Sequence, residues 1–214
     1  MSSDKTWTIR ASYDRIAAEY ARRFSGELAQ KPLDCQVLDR FAARVRDKGH
    51  ICDLGCGPGQ VARYLKDKGL PASGIDLSPA MVTQARGRHP DIPFREGNML
   101  GLDFPPAYLG GIVSFYSIVH FPPNLLHSVF LDMVRVLKPQ GMALVAFHLG
   151  KHAEHRDEMW GEAVSLDFHF FPRATVVARM EQAGFIVQEV IERGSYSAEV
   201  EYQSRRAYIL AVRP

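Results

Sequence analysis

Ile51-Cys-Asp-Leu-Gly-Cys-Gly-Pro-Gly-Gln60 is the stretch that decides how this chain folds. A short apolar strand ends at an acidic residue and breaks into a loop with glycine at positions 55, 57 and 59. The helical segment Gln60-Val-Ala-Arg-Tyr-Leu-Lys66 follows at once. A strand, a glycine turn and a helix in this order open a nucleotide pocket at the edge of a parallel α/β sheet. Glycine is needed because a ligand reaches bare backbone only where no Cβ intervenes and positive φ is cheap.

The spacing narrows the ligand. A dinucleotide fingerprint wants a third glycine that packs the helix on the sheet, and Gln60 stands at that position. No Gly-Lys-Ser/Thr follows, so the phosphate-gripping loop of nucleotide triphosphatases is absent. Asp53, just before the first glycine, would repel a phosphate and suits a ligand that carries positive charge. A second acid, Asp76, ends the expected second strand Ser73–Asp76, about twenty residues beyond the loop, where a carboxylate meets ribose hydroxyls in doubly wound sheets. Pro79 then suits the first turn of a new helix.

Together the run Asp53-x-Gly-x-Gly-x-Gly59 and the following Asp76-Leu-Ser-Pro-Ala-Met81 resemble the class I S-adenosylmethionine-dependent methyltransferase family. The resemblance covers nearly the whole chain. Arg95-Glu-Gly-Asn-Met99 matches the end of the family's third strand, and Gly110–His120 its fourth strand and the loop beyond. Leu131–Gly141 with the following Met-Ala-Leu-Val-Ala matches a helix, a turn and the fifth strand. It implies a doubly wound, Rossmann-like α/β fold with seven strands in order 3-2-1-4-5-7-6, the seventh antiparallel. It implies S-adenosylmethionine as cofactor and S-adenosylhomocysteine as product, with Gly55, Cys56, Gly57 and Gly59 along the methionine half. Asp53 would face the ammonium, Asp76 the ribose hydroxyls and Asn98 the adenine end, with Leu77, Met99 and Phe115 as further cofactor-binding residues. Asn98 replaces a frequent aspartate, and an amide oxygen still offers an acceptor to the adenine amino group.

The rest of the pattern agrees with one domain over residues 1–214. Strand and helix signals alternate from Ile51 to Ala183, the signature of a sheet wound on both faces. Two strands without an intervening helix, Phe185–Ile191 and Arg206–Val212, then form an antiparallel edge. Residues 1–48 read as a helical lid. Ser12 is a candidate cap for a helix with Ile16, Tyr20 and Phe24 on one stripe, and a second helix covers Leu33–Arg46. Tyr13 and Tyr20 share a helical face, and the family's Tyr-x-x-x-Ala-x-x-Tyr pattern places such tyrosines over the cofactor.

The acceptor side is carried by less regular residues. Residues 150–172 read as a substrate-binding insert in which Trp160, Phe168 and Phe170 supply aromatic walls, with Tyr116 and His148 at strand ends. His120 follows the fourth strand and is the candidate general base, its alternative being loop packing. His148, His152 and His155 stand at helical spacing, but His148 ends a strand, so the expectation is no metal.

Composition excludes other classes. A chain of 214 residues with a net charge of +2 has no basic field for nucleic acid. No apolar run reaches membrane length, and Met1-Ser-Ser-Asp-Lys lacks the apolar stretch of a signal peptide, which points to the cytoplasm. Cys35, Cys52 and Cys56 make no disulfide framework, and none follows a proline as a pyrimidine-attacking cysteine would. The expected activity is metal-independent O- or N-methylation of a small molecule, aided by His120. The alternative is a regulator or inactive homologue that binds S-adenosylmethionine without transfer.

Overall fold

The computed structural model describes the backbone of residues 3–214 and the side chains from Lys5 onward, so residues 1 and 2 of the expected lid lie outside the described residues. A run of largely buried strands forms the centre: β1 (Ile51–Leu54), β2 (Ala72–Asp76), β3 (Phe94–Glu96), β4 (Leu109–Phe115) and β5 (Leu137–His148). They pair in parallel, and two later strands, β8 (Ile186–Arg193) and β9 (Arg206–Val212), complete the sheet in the order β3-β2-β1-β4-β5-β9-β8. Strand β9 runs antiparallel to both neighbours. This is the order that the resemblance implies, with β8 and β9 as its sixth and seventh strands.

Alternate residues of each strand feed opposite faces. Ile112, Val145 and Ile209 pack with Phe130 and Met133 of α5 (Leu126–Val136) and with Val176 and Met180 of α6 (Arg173–Gln182). Their neighbours Val113, Leu144 and Leu210 meet Val37 and Phe41 of α2 (Pro32–Val45) and Val61 and Leu65 of α3 (Gln60–Asp67). Such two-sided burial is why these strands read as continuous apolar runs. Helix α4 (Pro79–Arg88) begins where expected, capped by the Ser78 hydroxyl, which accepts from the Met81 N–H.

Two elements depart from the expectation. Helix α1 runs from Ser3 to Phe24, so Ser12 lies inside it and is no cap. Its hydroxyl donates to the Thr8 carbonyl and accepts the Ser165 N–H at 2.9 Å. That second bond ties α1 to a hairpin, β6 (Ala153–Met159) and β7 (Glu162–His169), which the 150–172 insert forms as a separate two-stranded sheet. Ile16 packs with Val164 and Leu166, and Arg15 donates to the Ala163 carbonyl. Helix and hairpin together form a roof above the carboxyl ends of β1, β2 and β4. Among the described residues no helix is long and apolar enough to cross a membrane.

Candidate functional site

The loop after β1 turns at Gly55, Gly57 and Gly59, with φ of +70°, +52° and +87°. A Cβ on Gly55 would stand 2.4 Å from the Ser117 Cβ, so this position has neither the angle nor the room for a side chain. Asp76 fastens the loop: its carboxylate accepts the Gly57 N–H at 2.8 Å and the Ser78 N–H at 2.9 Å. Burial pushes this carboxyl above its ordinary range, and those two backbone donors pull it back. One acid thus holds the ends of β1 and β2 together and still faces open space.

That space is a narrow cavity of about 100 Å³. Gly55 and Gly57 form one side of it, and Asp76, Leu77, Asn98 and Met99 line it from β2 and the turn after β3. Tyr13 and Tyr20 enter from α1, and Phe115 from the end of β4. Asn98 Oδ1 already accepts the Leu100 N–H at 2.9 Å, which leaves one lone pair and the NH₂ group for a ligand. Gly59 lines neither this cavity nor the wider one beside it; a Cβ there would stand 2.7 Å from Phe94, and this glycine serves the entry to α3.

A wider cavity of about 500 Å³ adjoins the first. Tyr13, Tyr20, Gly55, Gly57, Phe115 and Tyr116 line both, so these residues mark the passage between them. Asp53 and Cys56 face the wider space. Asp53 is buried and its carboxylate accepts the Ala62 N–H at 3.2 Å; burial pushes its pKa up to about 8. Burial also pushes the Cys56 thiol well up, so it stays protonated. Tyr116, His148, Trp160, Phe168 and Phe170, the residues expected on the acceptor side, all line this cavity. Tyr116 has a φ of +56°, a strained angle for a non-glycine at the strand end that turns its ring inward. Trp160 sits at the hairpin tip against Tyr20 and Phe24, with ring centroids 6.1 and 5.9 Å away.

His120 lies in a single 3₁₀ turn after β4 and lines the narrow cavity. Its Nδ1 is 3.0 Å from the Asp167 carbonyl, which can only accept, so Nδ1 carries the proton. Nε2 then accepts from the Tyr13 hydroxyl at 2.7 Å. Burial pushes the His120 pKa down to about 4, so the imidazole is neutral at physiological pH. Helix α1, the 3₁₀ turn and β7 thus meet in one short chain of hydrogen bonds.

The remaining histidines do not converge. His148 Nδ1 pairs with the Ser204 hydroxyl, His152 stacks on Phe170, and His155 pairs with Asp167. Among the described residues no group of three or more His, Cys, Asp or Glu side chains is placed to hold a metal ion.

The inner wall of the wide cavity carries residues that the sequence reading did not single out: Lys31, Gln60, Glu201 and Arg206. Lys31, Glu201 and Arg206 belong to a buried ionic cluster with Arg193, which donates to Asp34, Glu201 and the Tyr208 hydroxyl, and Gln60 donates to Glu27 beside it. Arg206 opens an otherwise apolar strand, the one sequence signal for its role; Lys31 and Glu201 lie on connections without a motif.

A family model described as a methyltransferase domain matches residues 51–141. Trans-aconitate 2-methyltransferase of Escherichia coli O157:H7 is 32% identical over 135 residues, covering 62% of this chain and 48% of that protein. A Mycolicibacterium smegmatis protein named as a probable S-adenosylmethionine-dependent methyltransferase is 31% identical over 110 residues, 51% of this chain and 42% of its own length. The chain spans about half the length of the curated relatives it matches. In structure it is similar to magnesium protoporphyrin IX methyltransferase of Synechocystis PCC 6803, solved with bound S-adenosylmethionine. The TM-score is 0.72 at 16% identity, over 100% of this chain and 99% of that one, a likeness of fold. The matched segment contains the glycine loop, Asp76, Asn98 and His120, and over residues 51–141 the chain carries a methyltransferase domain similar to that of S-adenosylmethionine-dependent methyltransferases.

Proposed function

We propose that this protein transfers a methyl group from S-adenosylmethionine to an oxygen or nitrogen of a small-molecule acceptor, without a metal. The observation that carries this reading is the pair of joined cavities, one floored by the glycine loop and Asp76, the other walled by aromatic rings. The trans-aconitate methyltransferases that the chain resembles act, by their name, on a small molecule, which supports the acceptor class.

The cofactor supplies a methyl already activated on a positively charged sulfur. The protein's part is to align the acceptor and exclude water, and orientation alone accounts for much of the acceleration in such reactions. Tyr13 and His120 add a route for the proton. The Tyr13 oxygen takes it from the acceptor while the Tyr13 proton passes to His120 Nε2, with the Asp167 carbonyl fixing the tautomer. A base held down to about 4 accepts that proton only as the acceptor becomes acidic, when its bond to the methyl forms.

The deciding experiment incubates the protein with S-adenosylmethionine labelled in the methyl group and a panel of small alcohols, amines and acids. Label in a small product supports the reading; binding with no transfer to any acceptor makes the protein a cofactor-dependent regulator. With an acceptor found, Tyr13→Phe and His120→Ala are each expected to lower kcat about 100-fold while S-adenosylhomocysteine affinity stays within about threefold. Undiminished kcat in both variants leaves orientation as the whole mechanism.

Asp53 gives a pH dependence. Its folded pKa of about 8 keeps it neutral at pH 7, and a ligand ammonium beside it favours the ionised form. Binding then releases a proton below pH 8, so S-adenosylmethionine affinity rises as pH climbs from 6 to 8 and levels off above. Calorimetry in two buffers of different ionisation enthalpy reads the released proton directly. Asp53→Asn is expected to flatten the profile, and an unchanged slope in that variant would place the titrating group elsewhere.

A further inference from the structure

We propose that the buried end of the wide cavity is a carboxylate-binding subsite, in which Arg206 and Lys31 hold an acidic group of the acceptor. The inference rests on the methyl-transfer reading for the ligand's role and deepens it by naming the acceptor's chemistry.

Arg206 opens β9 directly opposite His148 of β5 and Arg193 of β8. Its side chain is 3% exposed. Nη1 donates to the Ser204 carbonyl at 2.8 Å and lies 3.0 Å from Glu201, and Nη2 donates to the Tyr202 carbonyl at 2.9 Å. The Nε–H is buried with no partner, although the side chain stands in the cavity wall. A buried guanidinium donor left unmade is costly, so an acceptor atom supplied by a ligand would satisfy it.

Lys31 faces the same space and is 5% exposed. Its ammonium bonds Glu27 at 2.5 Å and stands 3.6 Å from Glu201, too far for a second good hydrogen bond. An ammonium has three protons to give. Arg206 and Lys31 lie 5.6 and 6.0 Å from the centroid of the Tyr116 ring, so the two cations flank the aromatic floor of the passage.

The anions nearby are already paired within the cluster, Glu27 with Lys31 and Glu201 with Arg206. Asp34 accepts from Arg193 and the Tyr208 hydroxyl, and Glu201 accepts from Arg193 and the Tyr196 N–H. Three cations, Lys31, Arg193 and Arg206, face three carboxylates, Glu27, Asp34 and Glu201, in this cluster. His148 is pushed down to about 3, by burial first and then by the neighbouring Arg206, with Glu201 opposing. The acids Glu154 and Glu158 belong instead to the hairpin side, where Arg156 and Tyr202 hold Glu154. With the carboxylates of the cluster paired, the Arg206 Nε–H is the donor left for an acceptor atom of a ligand, and the Lys31 ammonium stands beside it on the same wall. The aromatic walls of Phe168 and Phe170 then cover a flat or apolar body.

The test is calorimetric titration of the protein saturated with S-adenosylhomocysteine. The probes are benzoate, phenylacetate, cinnamate and a small tricarboxylate, each beside its uncharged amide. At least one carboxylate is expected to bind tenfold or more tightly than its amide. Arg206→Gln is expected to erase that preference and Arg206→Lys to keep part of it, with S-adenosylhomocysteine affinity within threefold in both as the sign of an intact fold. Should Arg206→Gln not fold, Lys31→Gln carries the same expectation. Equal binding of acids and amides throughout, or a preference that survives both charge-removing variants, overturns the subsite. Absence of S-adenosylhomocysteine binding to the unsubstituted protein would instead overturn the methyl-transfer reading beneath it.

Discussion

Asp76→Ala is expected to weaken S-adenosylmethionine binding about 1,000-fold. A carboxylate that accepts both ribose hydroxyls makes two charge-assisted hydrogen bonds, each worth about 1.5–3 kcal/mol. Their loss corresponds to roughly 10²–10⁴-fold in Kd. Part of the effect is indirect, because Asp76 also holds the Gly57 and Ser78 N–H groups and so shapes the loop. Asp76→Asn separates the two contributions. Its remaining amide oxygen can keep the Ser78 bond, while its NH₂ would oppose a hydroxyl or an N–H donor. Titration of both variants with S-adenosylhomocysteine, beside a thermal melt, checks the assignment. Wild-type affinity in Asp76→Ala would mean that the ribose is held elsewhere.

Arg193→Met is expected to cost the largest share of stability of any single change outside the apolar core. The guanidinium is almost fully buried and donates at once to Asp34, Glu201 and Tyr208, joining the end of β8 to α2 and to the connection before β9. Removing one partner of a buried ionic pair strands the other charge, at a cost of about 3–5 kcal/mol. For a chain of this size each kcal/mol moves Tm by about 2–4 °C, so a fall of about 10 °C is expected. Adding Asp34→Asn removes one stranded charge and should recover part of the loss, a coupling that a double-mutant cycle reads. A fall under about 2 °C would show that water relaxes the cluster and that it is no anchor.

The cofactor half of the site was legible because local rules govern it. Strands buried on both faces read as apolar runs, and a positive φ beside a crowded wall leaves only glycine at Gly55. Asp76 follows from its distance to that loop. The hairpin was not legible. β6 is Ala-Glu-His-Arg-Asp-Glu-Met, almost wholly exposed, with no apolar face to give a period of two. Its turn places Trp160 and Gly161 at φ of +56° and +86°, and tryptophan gives no sign of such a turn. The inner wall was hidden for another reason. Lys31, Glu201 and Arg206 come together only when α2, β5 and β9 pack, and no spacing along the chain announces that. Ser12 misled in the opposite way. It precedes an apolar stripe as a cap does, yet its hydroxyl is spent on Ser165 in a helix that starts nine residues earlier.

The hairpin leaves and rejoins the body of the protein at nearly one point. Leu149 bridges to Phe171, the Phe171 N–H returns to the His148 carbonyl, and β6 and β7 pair only with each other. The cost of closing such an excursion grows only slowly with its length. A change of length at its tip therefore leaves the sheet undisturbed, while Ser165, Leu166 and Asp167 must keep their hold on α1 and on His120.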